Sequence, residues 1–248
     1  MSAPLLGALQ AANFGVHKTH RNNEHFGTLF WSLERLFGYY HRIMYALPQP
    51  RTEHHFLAAD IESYIIRFRI VLNDIAYLVW DILPHNARGL KGPRGGTHPK
   101  NREMSIFTLA DFIYEESASY PELAQAFASA SSWMNRLRND RDNVIHYKAM
   151  VIVFDCKPPA FAFVNAAHTM PLEPTPDGGH KIVMLPVDEF INGQMLALHT
   201  FMHSDLSSAI IAHVARVGLI PQPNGRDFQI QIRCLGIETF KHVNGIKA

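Results

Sequence analysis

One stretch of the chain carries residue types suited to phosphate and acid–base chemistry. It reads Trp133-Met134-Asn135-Arg136-Leu137-Arg138-Asn139-Asp140-Arg141-Asp142-Asn143-Val144-Ile145-His146-Tyr147. On a helix turning by about 100° per residue, with Leu137 at zero, Trp133, Met134, Leu137, Val144 and Ile145 fall between roughly −40° and +80°. Arg141 falls inside that apolar stripe, and an arginine there needs a partner. Arg138, Asp142 and His146 form a second stripe, each four residues apart, so Asp142 can accept from Arg138 and from a ring N–H of His146. A carboxylate so placed orients the imidazole and raises its pKa, as a general acid or base requires. Arg141 and His146 point about 140° apart on an ideal helix. They meet on one phosphate only if the arginine curls round, if the helix ends at His146, or if a second chain supplies part of the site. The plainer alternative is a solvated charged face with one paired arginine.

Arg141-Asp142-Asn143-Val144-Ile145-His146 resembles the R-x4-6-H motif of the HEPN superfamily, the higher eukaryotes and prokaryotes nucleotide-binding domains. Asp142 matches the polar residue that usually follows the arginine. The resemblance covers about residues 20–147 and extends to the helix at 187–217. Many members of that family are metal-independent endoribonucleases, with the site at the junction of two protomers. The resemblance therefore implies that His146 moves the proton of the ribose 2′-OH or of the leaving oxygen, that Arg141 stabilises the phosphate, and that Asp142 positions one of them. It implies a homodimer, RNA or nucleotide as ligand, no cofactor and no metal, and a toxin or defence system with an antitoxin or other protein partner. Some HEPN toxins have a tyrosine two residues after the histidine, whereas Lys148 stands there in this chain. Non-catalytic HEPN-like modules that bind nucleotide, RNA or protein also exist. That alternative stays open, as does a helical bundle in which Arg141 and His146 are structural.

The segment 84–102 carries Arg88, Lys91, Arg94, Lys100 and Arg102 and no acidic residue. It reads as a long basic loop whose glycines let backbone N–H groups approach phosphate. Together with Arg138 it forms the expected phosphate-binding set. No Walker A pattern is present. His199 and His203 have metal-ligand spacing on a helix, but no glutamate lies between them and no third ligand is evident, so no metal is expected. Cys156 and Cys234 are too few for a disulfide scaffold, and Cys156 reads as a packed residue on a strand.

Helices must position these groups. Phe26, Phe30, Leu33, Phe37, Tyr40, Met44 and Leu47 step by four and three, predicting a helix over 21–47. Leu57, Ile61, Tyr64, Phe68, Val71, Ile75, Leu78 and Ile82 predict a second over 52–83, antiparallel to the first across the turn at Pro48 and Pro50. A short helix near 105–116 follows, then a long one from Pro121 to about Tyr147. Three runs, 150–154, 161–164 and 181–185, predict a small β-insertion within 148–186. Ile191, Met195, Leu198, Met202, Leu206, Ile210 and Val214 predict one long helix over 187–217, and 226–235 a C-terminal strand. The expected fold is mainly α: an antiparallel, HEPN-like helical bundle with a small antiparallel β-element in the C-terminal half, all in a single domain over 1–248.

Composition agrees with a packed protein. Of the 248 residues 47% are apolar and 18% charged, and the net charge of +1 shows no global basic field that would advertise nucleic acid. The first residues lack a basic stretch before a long apolar run, so no secretory signal is expected. No run of about 18 apolar residues predicts a membrane span. Few cysteines suggest a reducing, cytoplasmic setting.

Overall fold

The computed structural model describes residues 20–49, 54–83, 104–145, 150–154, 156–164 and 172–217, with the backbone alone at 20–24, 26, 54–55, 81–82 and 150. Of these residues 74% are helical, and the strands form a small antiparallel element. The helices are α1 (His20–Ala46), α2 (His54–Ile82), α3 (Ile106–Glu115), α4 (Pro121–Ile145), α5 (Val187–Thr200) and α6 (Ser207–Arg216). A π-helical segment, Phe201–Leu206, joins the last two. The expected strand at 226–235 and the basic segment 84–102 lie outside the described residues.

The described residues fall into two compact units. One takes its described residues from 20–34, 70–83, 104–131 and 198–217, the other from 35–49, 54–69, 132–145, 150–154, 156–164 and 172–197.

In the first unit α3 begins at Ser105, whose hydroxyl accepts from the backbone N–H of Thr108 at 3.1 Å. Ile106, Leu109, Phe112 and Ile113 then form its buried face. Phe112 packs edge-on against Trp80 of α2, with centroids 5.2 Å apart. The start of α4 runs antiparallel to the π-segment and α6. Phe127 meets Phe201 at 5.8 Å, Ser129 donates to Asp205 at 3.1 Å, and Arg216 pairs with Glu122 at 2.7 Å. Each step forward on one helix is a step back on the other.

In the second unit α1 and α2 also run antiparallel, with Arg42 paired to Asp60 at 2.8 Å beside their connection. The Tyr40 hydroxyl donates to Asn192 and the Tyr64 hydroxyl to the carbonyl of Ile191, which ties both helices to α5. The sheet is ordered β1 (Met150–Phe154), β2 (Ala160–Val164), then β5 (Leu185–Pro186), all antiparallel. Val153 faces Phe161, and Phe161 faces Leu185. A separate hairpin joins β3 (Leu172–Pro174) to β4 (His180–Ile182) through a turn at Gly178, whose φ of 81° suits glycine.

Four expectations change. The buried stripe of α1 is Leu29, Leu33, Leu36, Phe37, Tyr40 and Ile43, so the helix is rotated and leaves Phe30 and Met44 only half-buried. The run at 181–185 is divided between β4 and β5, which lie in different sheets. The single helix over 187–217 is interrupted by the π-segment, although every residue of its expected seam is buried. Cys156 also lies past β1 rather than on it, with its thiol 3.6 Å from the Phe154 carbonyl.

Candidate anion site at the end of helix α4

Helix α4 changes character along its length. Met134 and Leu137 are buried, but beyond Leu137 no residue up to Ile145 is, and Ile145 is exposed. The polar end therefore lies at the rim of the second unit's core. Phe68 of α2 packs edge-on against Trp133 with centroids 6.1 Å apart, and Phe68 itself is fully buried. Farther along, Glu62 of α2 accepts the backbone N–H of Val151 at 2.8 Å, fixing the start of β1. These two contacts hold α2 beside the chain on either side of the residue 138–142 segment.

Within that segment Asp142 accepts from Arg141 Nη1 at 2.8 Å and lies 3.9 Å from Arg138 Nε. The pairing with Arg138 follows from the four-residue spacing. The closer pairing with Arg141 does not, because adjacent helical residues point about 100° apart. Arg141 reaches it by curling out of the apolar stripe that an ideal helix assigns it. Its side chain is 29% exposed, so it is not a core arginine. His146 itself lies outside the described residues, as do Arg88, Lys91, Arg94, Lys100 and Arg102.

Arg69 of α2 is coupled electrostatically to these arginines and was not among the expected site residues. Burial and the nearby charges of Arg141 and Arg138 depress its pKa to about 10, against a smaller opposing effect of Asp142. Arg67-Phe68-Arg69, two cations inside the run from Tyr64 to Leu72, was the signal in the sequence. Arg138 and Arg141 thus share the Asp142 carboxylate, and Arg69 is near enough for their charges to lower its pKa.

Asp140 is a second departure. Burial raises its pKa to about 6, with Arg136 opposing. The folded state therefore binds a proton that the unfolded chain releases near pH 4, and stability falls as pH rises between about 4 and 6. Asp140→Asn is expected to stabilise the protein at about pH 7.5 by roughly 2 kcal/mol, allowing for partial solvent screening. Unfolding midpoints of the two proteins should converge at about pH 4. A constant difference across that range would contradict the assignment.

The His199 and His203 rings stack, with centroids 4.1 Å apart and planes 24° apart. Among the described residues no group of three or more His, Cys, Asp or Glu side chains is placed to hold a metal ion. Nor is any helix there long and apolar enough to cross a membrane.

Comparison of the chain with protein-family models, with curated proteins and with solved structures finds no match.

Proposed function

We propose that the chain is an HEPN-like endoribonuclease that cleaves RNA without a metal ion, acting through Arg141 and His146. The observation that carries this reading is the half-buried Arg141 guanidinium, held at 2.8 Å by Asp142, with Arg138 on the same carboxylate. A guanidinium so fixed suits the charge that builds on a phosphate during transfer.

In the proposed reaction the ribose 2′-oxygen attacks the adjacent phosphorus and the bond to the 5′-oxygen of the next nucleotide breaks. His146 takes the 2′-OH proton or delivers one to the leaving oxygen. The products are a 2′,3′-cyclic phosphate and a 5′-hydroxyl. Asp142 positions Arg141. A homodimer that joins the two α4 ends would bring a second Arg141 and His146 to the site, and RNA would be the partner. An antitoxin or another regulating protein fits the same reading.

A chimeric oligonucleotide tests the chemistry. An RNA carrying one 2′-deoxynucleotide at a mapped cleavage position should resist cutting there and be cut elsewhere, leaving cyclic phosphate ends. Cutting 3′ of the deoxynucleotide would exclude attack by the 2′-OH. Binding without any cutting would favour a non-catalytic HEPN-like module.

A further inference from the structure

The end of α6 is fastened to the start of α4 through one arginine. Arg216 Nε donates to Glu122 Oε1 at 2.7 Å and Nη2 to Glu122 Oε2 at 3.2 Å, a fork on a single carboxylate. Nη2 also donates to the Ser119 carbonyl at 2.6 Å and lies 3.2 Å from Nδ1 of His213, one helical turn back. Its two N–H groups serve three acceptors, so one of these bonds is bifurcated. A guanidinium has donors and no acceptor, so His213 Nδ1 must accept. That selects the neutral tautomer with its proton on Nε2. Nε2 is buried without a hydrogen-bond partner among the described residues, and His213 as a whole is 1% exposed. Its ring packs on Tyr120 with centroids 5.3 Å apart.

Among the described residues, the charged groups that act on His213 are Arg216 on its own helix and Glu122 on α4. The Tyr120 phenol lies against the ring, and Glu116 at the end of α3 acts on Tyr120. Burial and Arg216 hold His213 below the ordinary histidine value, against a smaller opposing effect of Glu122. The Arg216 hydrogen bond holds the Glu122 carboxyl below its usual range, and burial holds the Tyr120 phenol above its own. Neither changes charge between about pH 7.5 and 5, so His213 is the group among them that does. A proton taken up there goes to Nδ1. It removes the acceptor that faces Arg216 and sets a second cation against the first.

We propose that His213 is the proton-sensitive half of a latch: neutral, it helps hold Arg216 across Glu122 and Ser119; protonated, it repels Arg216 and loosens the junction of α6 with α4. The latch does not rest on the nuclease reading.

Nitrogen NMR of the histidine rings and of the Arg216 Nε–H in the full-length protein tests it, with each signal assigned through its own backbone. At about pH 7.5, Nδ1 of His213 should be unprotonated and Nε2 protonated. On acidification the ring should titrate below about pH 6.5, and the Arg216 signal should follow with the same midpoint. Arg216→Met should raise the His213 midpoint by at least about half a pH unit, a threefold gain in proton affinity. The proton lost from the folded ring but bound by the unfolded chain makes stability fall as pH falls below about 6.5. Asp140 acts in the opposite direction, so thermal melting is read as a difference between proteins. His213→Asn keeps a neutral acceptor and does not titrate. Its deficit against the wild type should narrow as pH falls from about 6.5 to 5. A proton on Nδ1 at about pH 7.5, an Arg216 signal that ignores the His213 titration, or a His213 midpoint unmoved in Arg216→Met would overturn the proposal. So would a deficit that stays constant with pH. If a variant does not fold, the tautomer and the shared midpoint in the wild type decide.

Discussion

Arg141→Lys is expected to lower RNA cleavage by about a hundredfold or more, nearly as far as Arg141→Ala. Lysine keeps the charge and can still reach Asp142. It cannot hold Asp142 with one edge of a planar fork and present another to phosphate. A point charge on a flexible stem also loses the fixed aim that the 2.8 Å contact with Asp142 provides. The side chain is partly exposed, so the unfolding midpoint should hardly move, and circular dichroism with thermal melting separates lost chemistry from lost fold. An Arg141→Lys protein that cuts within a few-fold of the wild type would show that only charge matters there.

Phe68→Ala should destabilise the protein by about 3–5 kcal/mol. Phe68 is fully buried between Tyr64 of its own helix and Trp133 of α4, with edge-on centroid distances of 5.7 and 6.1 Å. Truncation leaves a cavity between α2 and α4 and removes both aromatic contacts. A loss of that size is a large share of the stability of an ordinary domain. Urea unfolding gives the value directly, and Phe68→Leu, which refills much of the space, should cost roughly half as much. A cost below about 1 kcal/mol for alanine would mean that Phe68 does not carry the α2–α4 packing.

How far the sequence showed this arrangement depends on the element. Helix α2 was legible because its apolar residues recur without a break, and from Leu57 to Leu78 every residue of that seam is buried. Its additional buried residues Ile65, Leu72, Ala76 and Val79 show that it is covered on more than one side. Helix α1 was legible in extent but not in rotation. Two overlapping apolar stripes share Leu33, Phe37 and Tyr40, and only packing chooses between Leu29, Leu36, Ile43 and the aromatic set.

The π-segment had left a trace. From Leu198 the seam steps by four to Met202, Leu206, Ile210 and Val214, and each such step overshoots an α-helical turn by about 40°. A wider π-turn absorbs that drift and keeps all five residues inward. The β3 strand was not legible, because its three exposed residues carry no apolar alternation and end on a proline.

The candidate site was half legible. Spacing on one helix gave the pairing of Arg138 with Asp142, and the curl of Arg141 was one of several open routes. Arg69 was missed because it comes from a different helix, and contacts between helices far apart in sequence leave no fixed spacing to read. Two arginines within the otherwise apolar run from Tyr64 to Leu72 were the available sign.

The most direct test of the account is cleavage of a labelled mixed-sequence RNA in excess EDTA by the wild type, Arg141→Ala and His146→Ala. The wild type should cut, and each variant, folded by circular dichroism, should cut at least a hundredfold more slowly. Wild-type cleavage that persists unchanged in both variants, or that EDTA abolishes, would contradict a metal-independent site built on Arg141 and His146.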